Sequence, residues 1–311
     1  MTLLYYHPVF LEHDTGGHPE NAVRLQRVVS HLQSVGLGSR CPCPSWQPVS
    51  PQRLADVHGL VYTGDMKTFC EQGGGHLDQD TVTSVRSYEA AIVAAGAVCD
   101  AVERVVHGED LHALCLVRPP GHHALATQSM GFCLLNHVAL AARMAIRELD
   151  LDRVLIVDWD VHHGNGTQAI FWDDAQVGYF SIHRWPFYPG TGAADETGSG
   201  LGLGTTVNLP IRFGTSRNEY LQIFSDELGR FADDFKPQLV MISAGFDSHQ
   251  ADPIGSLGLE TEDFGQLTQT VLDVAQAHCD GKVVSVLEGG YNPDALALSV
   301  EIHLQQLLAG G

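Results

Sequence analysis

Val157 to Thr167 reads VDWDVHHGNGT and follows the apolar run Arg153–Ile156. Asp158, Asp160, His162 and His163 crowd into six positions there. A solvated loop has no need of them, and a buried strand would be destabilised by them unless each found a partner. In extended chain, residues two apart share a face. Asp160 and His162 can therefore point at one metal ion, and Asp247 from the segment Ser243–His249 can complete the set. Two carboxylates and an imidazole leave a position open for water, as a catalytic metal site requires. Such an oxygen-rich set suits Zn2+, and Fe2+ or Co2+ as well. The tandem His122–His123 offers acid/base groups for a water and a leaving group. Asp158 and Asn165 are candidate partners to fix their tautomers. Tyr291, freed by Gly289 and Gly290, can donate to a carbonyl oxygen as charge develops on it. Together these groups spell metal-assisted hydrolysis of an amide.

Elements that could position them alternate along the chain. Short apolar runs predict strands at Leu3–Tyr6, His112–Val117, Arg153–Asp158, Val177–Ile182, Gln238–Ser243 and Lys282–Leu287. Helical periodicity predicts helices at Glu20–Val35, Tyr88–His107, Asn136–Leu149, Arg217–Phe235, Thr261–His278 and Pro293–Leu308. Such alternation predicts an α/β fold with a parallel sheet covered on both faces. Four of the strands run directly into RPPGHHA, WDVHHGNG, AGFDSH and EGGYN. In an open parallel sheet the carboxyl ends of the strands line one crevice, where ligands bind. Gly190–Gly204 is glycine-rich but lacks the Lys-Ser/Thr ending of a phosphate-binding loop, and it reads as a flexible loop near the site mouth.

Composition bounds the rest. A chain of 311 residues with 44% hydrophobic residues can bury a large core, and a single domain over residues 1–311 is expected. The 17 Lys and Arg against 37 Asp and Glu give a net charge of −20, which repels nucleic acid and favours cationic substrates. Seven cysteines, an odd number set largely in apolar surroundings, read as reduced thiols of a cytoplasmic protein rather than a disulfide framework. The Cys41–Pro44 stretch has no second Cys pair nearby and reads as a surface loop. The N-terminus does not read as a signal peptide, and no apolar run is long enough to span a membrane. A homo-oligomer is compatible with all of this.

The motifs HPENAVRL (His18–Leu25), RPPGHHA, GFCLLNH, VDWDVHHGNGT, SIHRWPFYPGTG, SAGFDSHQADPIG and LEGGYN, in this order, resemble the histone deacetylase family of the arginase/deacetylase superfamily. The likeness is to its class II-like and bacterial members. It implies one α/β domain with an eight-stranded parallel sheet and a zinc-dependent deacylase. By position it implies zinc ligands Asp160, His162 and Asp247. It makes His122, bonded to Asp158, the first tandem histidine, and His123 the general base and then acid, with Asn165 where class I members carry Asp. Tyr291 matches the tyrosine that polarises the substrate carbonyl. Phe132 and Tyr188 match the walls of an acyl-lysine tunnel, Tyr188 standing where Phe is usual, and Gly131 would offer its carbonyl to the substrate. Arg24 would lie behind the site, along an acetate exit. Of the mouth aspartates Asp78 and Asp80, Asp78 is favoured as the one that grips the substrate backbone. His13 and Asp14 are further mouth candidates. A structural K+ would use Asp158, Ser181 and carbonyls of Asp160, His162 and Ile182.

The resemblance leaves rivals. Arginase-type enzymes need a second metal, and their extra carboxylates would fall at Gly164 and Gly245. Acetylpolyamine selectivity in one branch comes with a glutamate after Asp-Pro, where Ile254 stands here. An acetylated lysine side chain is therefore the expected substrate, an acetylated small amine the alternative. A catalytically dead acetyl-lysine-binding scaffold is the remaining reading.

Overall fold

The computed structural model describes residues 1–310. In chain order the strands are β1 (Thr2–Tyr5), β2 (Gly75–His76), β3 (Val82–Thr83), β4 (His112–Cys115), β5 (Val154–Asp158), β6 (Val177–Arg184), β7 (Thr206–Ile211), β8 (Leu239–Ala244) and β9 (Val283–Leu287). The α-helices are α1 (Ala22–Ser34), α2 (Pro51–Ala55), α3 (Leu60–Glu71), α4 (Ser87–Val106), α5 (His137–Glu148), α6 (Asn165–Ile170), α7 (Arg217–Phe235), α8 (Thr261–His278) and α9 (Pro293–Gly310).

Seven strands form one parallel sheet in the order β1-β4-β9-β8-β5-β6-β7. The remaining two pair as a short antiparallel hairpin, β2–β3. The expected eight-stranded sheet is thus corrected to seven. One of the seven, β7, escaped the sequence reading because Asn208 and Pro210 interrupt its apolar pattern. It lies at the sheet edge, paired only with β6, where the N–H that Pro210 lacks is not needed by an outer neighbour.

Helices α1, α9, α8 and α7 pack in a row on one face, and α4 and α5 pack together on the other. Strands β4, β5, β8 and β9 are buried throughout, as a sheet covered on both faces must be. Local signals set the helix starts. Ser216 accepts from Glu219 N–H before α7, and Glu260 and Asp263 form a reciprocal capping box before α8.

The strand order decides where the chemistry falls. Strands β4, β9, β8 and β5 are consecutive neighbours and all run the same way. Asp158 is level with Ser243, and Ala244 with Leu287, so their carboxyl ends stop side by side. These are the four strands whose ends carry His122–His123, Tyr291, Asp247 and Asp160–His162.

Candidate active site

Asp160, His162 and Asp247 bring one ligand atom each to within 4.8 Å of one another, all three residues buried. His162 Nδ1 lies 3.0 Å from Asp160 Oδ1 and 3.2 Å from Asp247 Oδ2. The other carboxylate contacts fix the cluster. Gly289 N–H donates to Asp160 Oδ2 at 2.9 Å, and Val161 N–H to Asp247 Oδ1 at 2.9 Å. Asp247 Oδ2 is buried and accepts no hydrogen bond, its 3.2 Å contact with His162 Nδ1 lying outside bonding geometry. A carboxylate oxygen left so costs free energy unless a cation meets it. Despite burial, the Asp160 and Asp247 carboxylates push His162 up to about 9. Burial and the Asp160 charge push Asp247 up to about 7. The cluster therefore draws positive charge, and its donor set fits a divalent ion. A Cβ on Gly289 would stand 2.2 Å from Asp247 Oδ2, so the backbone approach here requires glycine. A Cβ on Gly245 would stand 2.1 Å from Asp160 Oδ2, and one on Gly164 2.2 Å from Asp158 Oδ2. Neither position has room for the extra carboxylates of a two-metal site.

The tandem histidines share a dipeptide and differ in charge. His122 Nδ1 donates to Asp158 Oδ2 at 3.0 Å, and its Nε2 is 3.9 Å from Asp160. Against the cost of burial, Asp158 and Asp160 push His122 up to about 10. His123 Nδ1 lies 2.7 Å from Asn165 Oδ1, which only accepts, so Nδ1 carries the proton and Nε2 is left basic. Burial, then the His122 and His162 charges, hold His123 well below the usual histidine range. Asp158 Oδ2 also accepts from Tyr179 O–H at 3.0 Å, and Asp158 faces Ser181 across β5–β6. Ser181 Oγ is 2.9 Å from His183 Nδ1. The two side chains expected at the K+ site thus adjoin, and the carbonyl residues Asp160, His162 and Ile182 flank them in sequence.

A cavity of about 170 Å³ leads to these groups. It is lined by His123, His162, Gly131, Phe132, Phe187, Tyr188, Ile254, Tyr291 and Asp80. Phe132 sits at φ 70°, a conformation unusual for an aromatic residue, beside Gly131 at φ 55°. Its ring meets Tyr291 edge-on at 5.7 Å. Tyr188 meets His123 edge-on at 5.2 Å, and Phe187 stacks on His162 at 5.2 Å. A larger groove of about 850 Å³ runs along α3 between Leu60 and Leu77 and contains none of these groups.

Several mouth expectations change. Asp78 accepts from Asp80 N–H (2.9 Å), Thr81 N–H (2.6 Å) and Thr81 Oγ (3.0 Å), so its carboxylate shapes its own turn. Asp80, not Asp78, lines the cavity. His13 is 1% exposed and bound to Ser87, too deep for a mouth role. Arg24 lies away from the mouth. It is buried behind Tyr291, donating to Gly290 O (2.5 Å), Glu288 O (2.6 Å) and Glu20 (2.9 Å), with its guanidinium 4.9 Å from the Tyr291 ring centroid. Glu20 also pairs with buried Arg118 through both oxygens. Removing one member of such a network typically costs about 3–5 kcal/mol. The Gly190–Gly204 loop is tied down as well. Thr191 bonds His163, and the Gly192 carbonyl and N–H bond His183 and Glu196.

Two residues of the site lie within the quoted motifs but have no role assigned from sequence. Asp252 accepts from Ile254 N–H and Gly255 N–H at 2.9 Å each and from Tyr291 N–H at 2.6 Å. It joins the rim at Ile254 to the candidate oxyanion donor. Glu288 is the other.

A single α/β domain with acid/base and metal-type groups at the strand ends defines a hydrolase-like class of site. Comparison with known proteins narrows it. Residues 18–307 match the histone deacetylase domain. A probable deacetylase of Archaeoglobus fulgidus is 34% identical over 313 aligned residues, spanning 100% of this chain and 87% of that protein. The histone deacetylase-like amidohydrolase of Pseudomonas aeruginosa is 37% identical over 277 residues, spanning 89% and 73%. The crystal structure of the HDA15 HD domain matches with a TM-score of 0.93 at 35% identity, covering 99% of this chain and 90% of that one. The chain belongs to the histone deacetylase family of amidohydrolases. No helix among the described residues is long and apolar enough to cross a membrane.

Proposed function

We propose that the chain hydrolyses the amide of an acetylated lysine side chain, with Asp160, His162 and Asp247 holding zinc. The observation that carries this reading is the buried cluster of Asp160, His162 and Asp247, whose Asp247 Oδ2 accepts no hydrogen bond, at the end of a cavity that also exposes His123 and Tyr291. A bound zinc would supply Lewis acidity toward the amide carbonyl and the attacking water. Fe2+ or Co2+ suits the same donors. Phe132 and Tyr188 would flank the extended acyl-lysine chain and exclude water from it. His123 Nε2 takes the proton of the attacking water and delivers it to the leaving amine. Tyr291 O–H donates to the carbonyl oxygen as it gains charge. His122, kept positive by Asp158 and Asp160, adds a fixed charge beside that oxygen. The Asp158–Ser181 neighbourhood would hold a structural K+.

One observation favours a second substrate. Asp80 places a carboxylate at the mouth, which attracts the distal ammonium of an acetylated polyamine. Ile254, an apolar rim residue, favours acyl-lysine instead. The deciding experiment supplies zinc and compares kcat/KM on an acetyl-lysine peptide and an acetylated polyamine. Faster turnover of the peptide is expected. Faster turnover of the polyamine overturns the Ile254 reading. A zinc-bound protein that turns over neither is a binding protein or acts on another acyl group.

A further inference from the structure

Glu288 opens the turn that carries Tyr291, and its side chain points the other way. It is 1% exposed. Oε2 accepts from Gly121 N–H at 2.7 Å and His122 N–H at 3.2 Å, at the end of β4. Oε1 accepts from Ser243 Oγ at 3.3 Å, near the end of β8. Strand β9 lies between β4 and β8, so this one carboxylate joins three adjacent strand ends. Its own carbonyl oxygen is fixed by Arg24. We propose that Glu288 is a positioning residue that sets the height of the His122–His123 turn against the catalytic cavity, through its acceptor geometry more than its charge.

Three observations carry this. The groups that hydrogen-bond the carboxylate are backbone N–H donors and a hydroxyl, all neutral, while the His122 imidazole lies within 4.8 Å. Among the described residues no lysine or arginine pairs with it, and Arg24, the nearest guanidinium partner of Glu288, takes the carbonyl oxygen instead. Burial pushes its carboxyl up to about 7 against the opposing His122 charge, so the ionised form is not strongly held. A glutamine can reproduce every bond. Its Oε1 would accept from Gly121 and His122, and its Nε2 would donate to Ser243 Oγ. An aspartate keeps the charge but withdraws the oxygens by about 1.5 Å, one carbon–carbon bond. Clamp and charge therefore rank the two variants in opposite order.

The inference rests on His122 and His123 being the acid/base pair. The test compares zinc-loaded wild type, Glu288→Gln and Glu288→Asp on the acetyl-lysine peptide, with imidazole NMR signals of His122 and His123 recorded for each. The clamp predicts kcat within about threefold of wild type for Gln and a loss of about tenfold or more for Asp, at unchanged KM. It also predicts imidazole signals that stay in place for Gln and move for Asp. Turnover by Asp equal to or above that of Gln overturns the clamp, as does a folded Gln variant that loses tenfold. A wild type inactive on every acyl substrate defeats the functional reading, and the imidazole signals still decide the clamp.

Discussion

The floor and the mouth of the tunnel are built differently. At the floor, polar atoms are bonded across strand ends: Asp160 to Gly289 N–H, Asp247 to Val161 N–H, Asp252 to Tyr291 N–H, Glu288 to Gly121 N–H. At the mouth, Asp78 bonds only residues of its own turn, and Asp80 is left half-buried beside the opening. The floor inherits the register of a parallel sheet, which admits no small adjustment without moving a whole strand. The mouth inherits the geometry of one hairpin, β2–β3, whose strands are two residues long. The proposed chemistry would then rest on the rigid part and selection on the adjustable part. Changes at the floor should therefore lower kcat, and changes at the mouth should raise KM.

Among the changes to residues that support the site without touching substrate or metal, Asp252→Asn gives the largest effect. Two backbone N–H groups meet Oδ1 and one meets Oδ2, so an amide NH2 must oppose a donor on one side. We expect a kcat loss of about 100-fold with KM nearly unchanged, since a small displacement of Tyr291 suffices. A loss confined to KM would erase the division between floor and mouth.

At the mouth the expected effect is smaller. Asp80→Asn should raise KM for a cationic or N–H-bearing substrate about tenfold, roughly 1.4 kcal/mol, at constant kcat. Asp78→Asn should act less, and through loop order. Steady-state kinetics of both variants separate them, and a greater KM effect at Asp78 would restore the sequence-based choice.

The smallest effect concerns the buried histidines away from the site. Burial lowers His303 to about 3 and His137 to about 4. A group whose folded pKa is depressed below 6.5 leaves stability intact above that pH. The unfolded chain then binds the proton first as pH falls, so stability drops toward pH 3–4. Each such residue should cost about 1 kcal/mol over the first pH unit below 6.5. His303→Asn should flatten the acid slope of the urea midpoint by that amount. An unchanged slope would mean that His303 is charged within its contacts with Thr268 and Ser285.

How much of this was legible depended on whether residue type alone determines the role. Helices α7 and α8 were readable to the residue because Ser216 and the Glu260–Asp263 box mark their starts and their apolar faces are periodic. Helix α6 was not, because Asn165 to Thr167 read as part of the ligand-rich run. The cluster Asp160, His162 and Asp247 was legible because strand ends fix both direction and company. Asp252 and Glu288 stayed hidden because a carboxylate that accepts from a distant backbone N–H looks like any other acidic residue. Asp78 and Asp80 sit two apart in one turn, and only the turn's own hydrogen bonds decide which of them lines the cavity.

The central claim is that the floor is a hydrolytic site, and acetate release tests it most directly. Zinc-loaded wild type is incubated with an acetyl-lysine peptide beside Tyr291→Phe and Asp247→Ala. The account predicts acetate and free lysine in equal amounts from the wild type. It predicts a kcat lower by about 10²–10³-fold for Tyr291→Phe with zinc retained, and no retained zinc and no acetate for Asp247→Ala. Full activity in Tyr291→Phe, or zinc held as well by Asp247→Ala as by the wild type, would contradict it.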